Sequence, residues 1–308
     1  MNTARLLILI LVTVICLEIV QGRPTQSSPT KTPQRIISLV PAVTEMLVAI
    51  GAGRKLVGIG SFGKLPPSLD NVPRVGGLLD PNTERILKLR ADLVILYATQ
   101  TDLREQLVHA TVPVFDYSHT GLSDITDTLR AIGQRTGHLQ ESKLLARKID
   151  SELESVHNRV RGRNRPRTLL VFDRQPLSLR SMYASGGVGF LHDMLVVAGG
   201  NNVLGNIERQ AVQLTTELIL STAPEVIIEL RYGRDQIEAD QLKHELNSWH
   251  PLASLEAVKS GRLYLLESAD IVIPGPQTAI GTEKLARVLH PDAFQQTAEK
   301  SISVKYGF

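Results

Sequence analysis

Short runs of branched aliphatic residues alternate along this chain with stretches whose apolar positions recur every three or four residues. Residues 35–40 (RIISLV), 55–59 (KLVGI), 93–97 (LVILY) and 112–115 (VPVF) read as buried strands. Between and after them the helical rhythm predicts helices at Thr44–Ile50, Thr83–Leu89, Leu103–Ala110 and Ile125–Thr136. Gly51 stands where a helix C-terminal glycine belongs, and Pro66-Pro67 marks a loop. Strands alternating with helices predict a parallel sheet covered on both faces.

From Glu141 the rhythm lengthens. Leu145, Ile149, Leu153, Val156 and Val160 form one stripe, which predicts a single amphipathic helix of roughly 30 Å. A second series follows: strand Thr168–Phe172, a Gly-rich turn, helices Phe190–Ala198 and Thr216–Leu220, strand Val226–Leu230, helix Ala239–Leu246, strand Arg262–Leu266 and a last helix Thr278–Leu289. One segment occurs in both series. PNTERILKLRADLVI (81–95) and LTTELILSTAPEVII (214–228) share Thr83, Glu84, Ile86 and Leu87 with Thr216, Glu217, Ile219 and Leu220 at one constant offset. The fold expected is therefore α/β, with two Rossmann-like lobes of parallel sheet joined by one long helix and a ligand cleft between them. An acid in the first turn of a helix is favoured by the helix dipole. The same duplication also lets two equivalent lobes each show one carboxylate to a common partner.

The ends of the chain change the picture in one respect. A basic start and the apolar run Leu6–Val20, with small residues before position 23, read as a secretory signal over 1–22, followed by a Pro/Ser/Thr-rich leader at 23–34. The N-terminal lobe is then 35–138, the linking helix 139–162 and the C-terminal lobe 163–308. The location expected is extracytoplasmic, with anchoring through the N-terminal segment left open. Cys16, the one cysteine, lies inside the apolar run; it is a lipidation candidate, although Ile15 before it is bulky for that role. At 43% hydrophobic and 21% charged the composition is that of an ordinary globular protein. A net charge of +3 with one basic cluster at 159–167 reads as a solvated helix end and not as a nucleic-acid site.

Several stretches together resemble the extracytoplasmic substrate-binding proteins of iron-chelate and cobalamin ABC importers. They are RIISLVPAVTEMLVAIGAGRKLVGIGSFGKLPP, VGGLLDPNTERILKLRADLVIL, YASGGVGFLHDMLVVAGGNNVLGN and WHPLASLEAVKSGRLYLL, and the similarity runs over about residues 35–294. The resemblance implies little hinge motion, a ligand held between the lobes, and docking of Glu84 and Glu217 onto a permease dimer. Loops at the strand ends would supply the ligand contacts. The candidates are Phe62, Leu78 and Tyr97 in the first lobe, and Tyr183, Arg231 and Asp270 in the second. Phe62 and Tyr97 match aromatic pocket walls of cobalamin-binding relatives, whereas Leu78 and Ala211 stand where such a relative has tryptophans. Haem-binding relatives place a tyrosine in the loop that here reads Gly76-Gly77-Leu78-Leu79.

No catalytic motif competes with that reading. Ser185-Gly186-Gly187 is not a nucleophile elbow, and Gly186-Gly187-x-Gly189 lacks the rest of a phosphate loop. His109, His119, His192, His244 and His250 are the histidines that could be assembled into a metal site, but none forms a paired helical motif. The expectation is a monomeric, non-enzymatic binding protein with no cofactor and no resident metal. Its cargo would be a corrinoid or ferric siderophore. The alternatives are a haem-binding protein of the same class, or a ligand-binding sensor not coupled to transport.

Overall fold

The first sheet is built from β1 (Ile36–Ser38), β2 (Leu56–Ile59), β3 (Leu93–Tyr97) and β4 (Val114–Tyr117), all parallel, in the order β2-β1-β3-β4. In this computed structural model the described residues are 31–63, 66–231, 239–267 and 269–294, so the signal segment 1–22, Cys16, most of the leader and Tyr232 lie outside them. Helices α1 (Pro41–Ala49), α2 (Thr83–Lys88), α3 (Thr101–His109) and α4 (Ser123–Thr136) cover both faces of this sheet. Side chains of β1 and β3 alternate, with Ile36, Leu93 and Ile95 in one core and Ile37, Val94 and Leu96 in the other.

Two boundaries differ from the sequence reading for local reasons. Helix α1 begins at Pro41, because proline fits the first helical turn, where its missing N–H costs nothing. Strand β4 begins at Val114, because the Val112 N–H turns back to the carbonyl of Leu107 at 2.9 Å and closes α3 first. Gly51 does end α1, in the left-handed conformation at φ 86°.

The long helix α5 runs Leu139–Val160. Its Ala146 and Ile149 belong to the first lobe's core, and its Val156 and Val160 to the second's, so one rod is bolted into both lobes. Beyond it come β5 (Arg167–Asp173), β6 (Tyr183–Ser185), α6 (Phe190–Val197), β7 (Asn201–Asn202), β8 (Ala211–Gln213), α7 (Thr216–Thr222) and β9 (Val226–Arg231). The described part closes with α8 (Ala239–Asn247), α9 (Glu256–Lys259), β10 (Leu263–Glu267), α10 (Ala269–Val272) and α11 (Thr278–Leu289).

The second sheet repeats the first and then departs from it. β7, β5, β9 and β10 are parallel neighbours in the same sequence of places as β2, β1, β3 and β4. The repeat reaches single side chains. Arg35 donates to the carbonyl of Leu89 beyond α2 while its own N–H is accepted by Asp92; Arg167 donates to Thr222 at the end of α7 while its N–H is accepted by Glu225. The departure is β6 and β8, which are antiparallel, so this sheet is mixed and not parallel as expected. Each has only three residues, too few to print an alternating pattern in a Gly-rich stretch.

Candidate functional site

Open parallel sheets place binding groups at the carboxyl ends of their strands, where the loops and helix N-termini diverge. In the first lobe those loops are knit together. Gln100 is buried at the start of α3; its amide nitrogen donates to the carbonyls of Gly77 (3.2 Å) and Leu78 (3.1 Å), and its oxygen accepts from the Tyr97 N–H (3.1 Å). Phe62 lies directly over Gly77, where any Cβ would collide with its ring. Gly76 has φ 92°, and a side chain there would strike the carbonyl of Asp80. Phe62 (64% exposed), Leu78 (41% exposed) and the half-buried Tyr97 therefore stand on one braced loop cluster. Gln100 is the organiser that sequence reasoning missed; its partners lie 22 and 23 residues away, and no local pattern marks them.

An aromatic series leads from this cluster to the other lobe. Ring centroids are 5.9 Å apart for Tyr97 and Tyr117, 5.6 Å for Tyr117 and His119, and 5.5 Å for His119 and Phe190, the first residue of α6. Burial raises the pKa of the Tyr97 and Tyr117 phenols above their ordinary value, and the Tyr117 hydroxyl has no hydrogen-bond partner among the described residues. Burial lowers the His119 pKa, with the Asp124 carboxylate opposing it. Two hydrogen bonds close the same seam: Leu122 N–H to Asp193 at 2.9 Å and the Gln210 amide to the His119 carbonyl at 3.1 Å.

In the second lobe Tyr183 is half-buried beside Asp173 at the end of β5. Arg231 ends β9; its Nη2 lies 3.2 Å from Glu245, while its Nη1 is buried with no hydrogen-bond partner among the described residues. Glu245 belongs to a buried network. Arg174 reaches Glu229 at 2.8 Å and Glu245 at 2.9 Å, and the Trp249 indole donates to Glu229. Arg231 is thus held at the strand end by a partner inside the lobe, with its side chain 30% exposed. Asp270, at the start of α10, is paired with Lys284 at 2.8 Å. Across the seam Glu45 on α1 lies against Gly275, and burial, with Asp270 adding, pushes its carboxyl from 4.5 to about 7. Six sequence-derived site residues therefore fall into two groups: Phe62, Leu78 and Tyr97 in the first lobe; Tyr183, Arg231 and Asp270 at strand ends of the second.

Glu84 and Glu217 occupy matching places in the first turns of α2 and α7, and both are exposed. Glu84 is paired with Lys88 one turn on. The Glu217 carboxyl is held below its ordinary range by its own backbone N–H and by the Thr215 side chain. The basic run has a structural use: Arg165 donates to the carbonyls of Val196 (3.0 Å) and Gly200 (2.9 Å), at the end of α6. Gly186 and Gly187 allow backbone contact with residues 205–209, which is a packing role. Among the described residues no group of three or more His, Cys, Asp or Glu is placed to hold a metal ion, and no helix is long and apolar enough to cross a membrane.

Known proteins resemble this chain in sequence and in fold. The profile of the periplasmic binding protein family matches residues 36–269. An uncharacterized ABC transporter substrate-binding lipoprotein of Bacillus subtilis, YvrC, is 26% identical over 271 residues, covering 86% of this chain and 83% of that protein. A vitamin B12-binding protein of Yersinia pestis is 27% identical over 202 residues, covering 65% of this chain and 70% of that protein. In three dimensions the periplasmic vitamin B12 binding protein BtuF of Vibrio cholerae matches with a TM-score of 0.72 at 23% identity, covering 86% of this chain and 99% of that one. The heme binding protein HutB of the same species gives 0.72 at 20% identity, covering 84% and 99%.

Proposed function

The chain belongs to the periplasmic binding protein family, and from that premise we propose that it captures a bulky metal chelate between its lobes outside the cytoplasm and delivers it to an ABC importer. The observation that carries the proposal is the braced cluster of Phe62, Leu78 and Tyr97 at the strand ends of one lobe, with the partly exposed Arg231 guanidinium at a strand end of the other. Aromatic and apolar surface buries a large planar ligand at low entropy cost, and the guanidinium suits a carboxylate, phosphate or anionic chelate. A corrinoid or ferric siderophore fits this pairing of apolar wall and cation. The likeness to vitamin B12-binding relatives supports the corrinoid. Haem is the second reading, supported by the fold shared with heme-binding proteins. The task is binding and release, with no chemical step.

A thermal-shift screen against cyanocobalamin, haem and ferric siderophores tests the cargo. A true ligand at a hundred times its Kd stabilises by about 2.7 kcal/mol. With the cargo in hand, Tyr97→Ala weakens binding roughly tenfold, the loss of one aromatic contact. Unchanged affinity in both Tyr97→Ala and Arg231→Ala places the pocket elsewhere.

The same reading gives Glu84 and Glu217 the docking role, each meeting a basic residue on one of two permease subunits. Two exposed charged contacts contribute about 1 kcal/mol or less apiece, so their effect is on orientation and encounter rate. Glu84→Gln combined with Glu217→Gln should depress importer-coupled uptake while cargo affinity stays the same. Normal uptake in that variant would sink the docking role.

A further inference from the structure

The two docking helices share more than an acid. In each, an N-cap side chain accepts from the backbone N–H three residues on: Asn82 from Arg85 at 2.9 Å, and Thr215 from Leu218 at 3.2 Å. Two residues after the cap comes the exposed glutamate. Two further on, Ile86 or Ile219 is buried and seats the helix on its lobe. The next residue in both is a leucine turned out of the core, Leu87 at 40% exposure and Leu220 at 41%. Glutamate and leucine three residues apart share one helical face, with Cβ atoms about 5–6 Å apart. The charge around them is not shared alike. α2 also carries Arg85 and Lys88, the latter paired with Glu84, whereas α7 has no basic residue in its last turn. Equal apolar exposure on two helices of unequal charge makes the leucine as regular a part of the repeat as the acid.

Resting on the docking role proposed above, we infer that each docking face is a carboxylate–leucine pair. Its partner presents two like sockets, each a cationic side chain beside an apolar recess less than one helical turn away. Because both faces repeat on a single polypeptide, the matching partner is a pair of like subunits, here the importer's permeases. The two members of each pair act at different stages. The carboxylates attract and orient at a distance and are screened by salt. The leucines lose their water only on contact, so they govern how long the complex lasts.

The test is biolayer interferometry of the full chain on the detergent-solubilised permease–ATPase complex of its own importer, at low and high salt, with each variant's melting temperature checked first. Leu87→Ala with Leu220→Ala should speed dissociation roughly tenfold and keep the salt dependence, and Leu→Met at both places should restore most of the lifetime. Glu84→Gln with Glu217→Gln should slow association and flatten the salt dependence. A normal dissociation rate in the leucine variant beside an impaired glutamate variant overturns this inference alone; an unimpaired glutamate variant overturns the docking role beneath it. If the leucine variant loses affinity for protein-free phosphatidylglycerol vesicles and not for the complex, the leucines face lipid and the assignment falls.

Discussion

Glu45 is a residue whose chemistry departs from its sequence context. Nothing around it on α1 is charged, yet the folded chain holds its proton to about 7, chiefly through burial and secondarily through Asp270. In the unfolded chain it titrates near 4.5. Between those values the folded state binds more proton than the unfolded one, so this group's contribution to stability is full below about 4.5 and is lost as pH rises through 7. His119 works in the opposite sense: its lowered pKa favours the fold above its unfolded value and less as pH falls. Melting temperatures from pH 5 to 8 should therefore fall more steeply for the native chain than for Glu45→Gln. The difference should be about 1–2 kcal/mol after allowing for partial solvent exposure. Parallel curves would refute the assignment. The contrast with Tyr97 shows what a sequence reveals at this scale. The place of Tyr97 at the end of β3 was legible because it closes a run of buried aliphatics. Glu45 and Gln100 were not, because Gly275 and Gly77, which define their surroundings, are distant in the chain. Arg231 was half legible: its strand end could be read, but Glu245 could not.

At the scale of elements, the parallel strands and the long helix were readable because burial on two faces and a sustained stripe leave continuous signals. β6 and β8 left none, being three residues each and placed by pairing with β5 and with one another. The same holds for the polar group that locks β5, β9 and α8 together. Arg174 just past β5, Glu229 of β9 and Glu245 of α8 meet out of water. Burial pushes the Glu229 carboxyl up even against the nearby Arg174 guanidinium. Removing one partner of such a group strands the others. Arg174→Ala should therefore cost about 3–5 kcal/mol in urea unfolding, far more than an exposed pair such as Arg104 with Asp116 would lose. A loss below about 1 kcal/mol would mean that water reaches the network and that it does not lock β5, β9 and α8 together.

For the whole molecule the governing feature is that α5 is embedded in both cores while Phe190, Leu122 and Ile273 fill the seam between them. A rod fixed at both ends resists the wide closure of two lobes on flexible strands. Small-angle scattering should accordingly give the same radius of gyration with and without cargo. A clear contraction on loading would show that the seam opens and shuts. The single crossing also bears on how the chain is made. All four strands of the first sheet lie between residues 36 and 117, and its last helix ends at Thr136, before any strand of the second begins. A polypeptide emerging N-terminus first can thus complete one lobe while the other is still being synthesised or threaded. Apart from Phe190 and Ile273, which reach the first core from the later half, that core is built from residues up to the middle of α5. Assembly can be sequential, with α5 carrying the template on which the second half condenses.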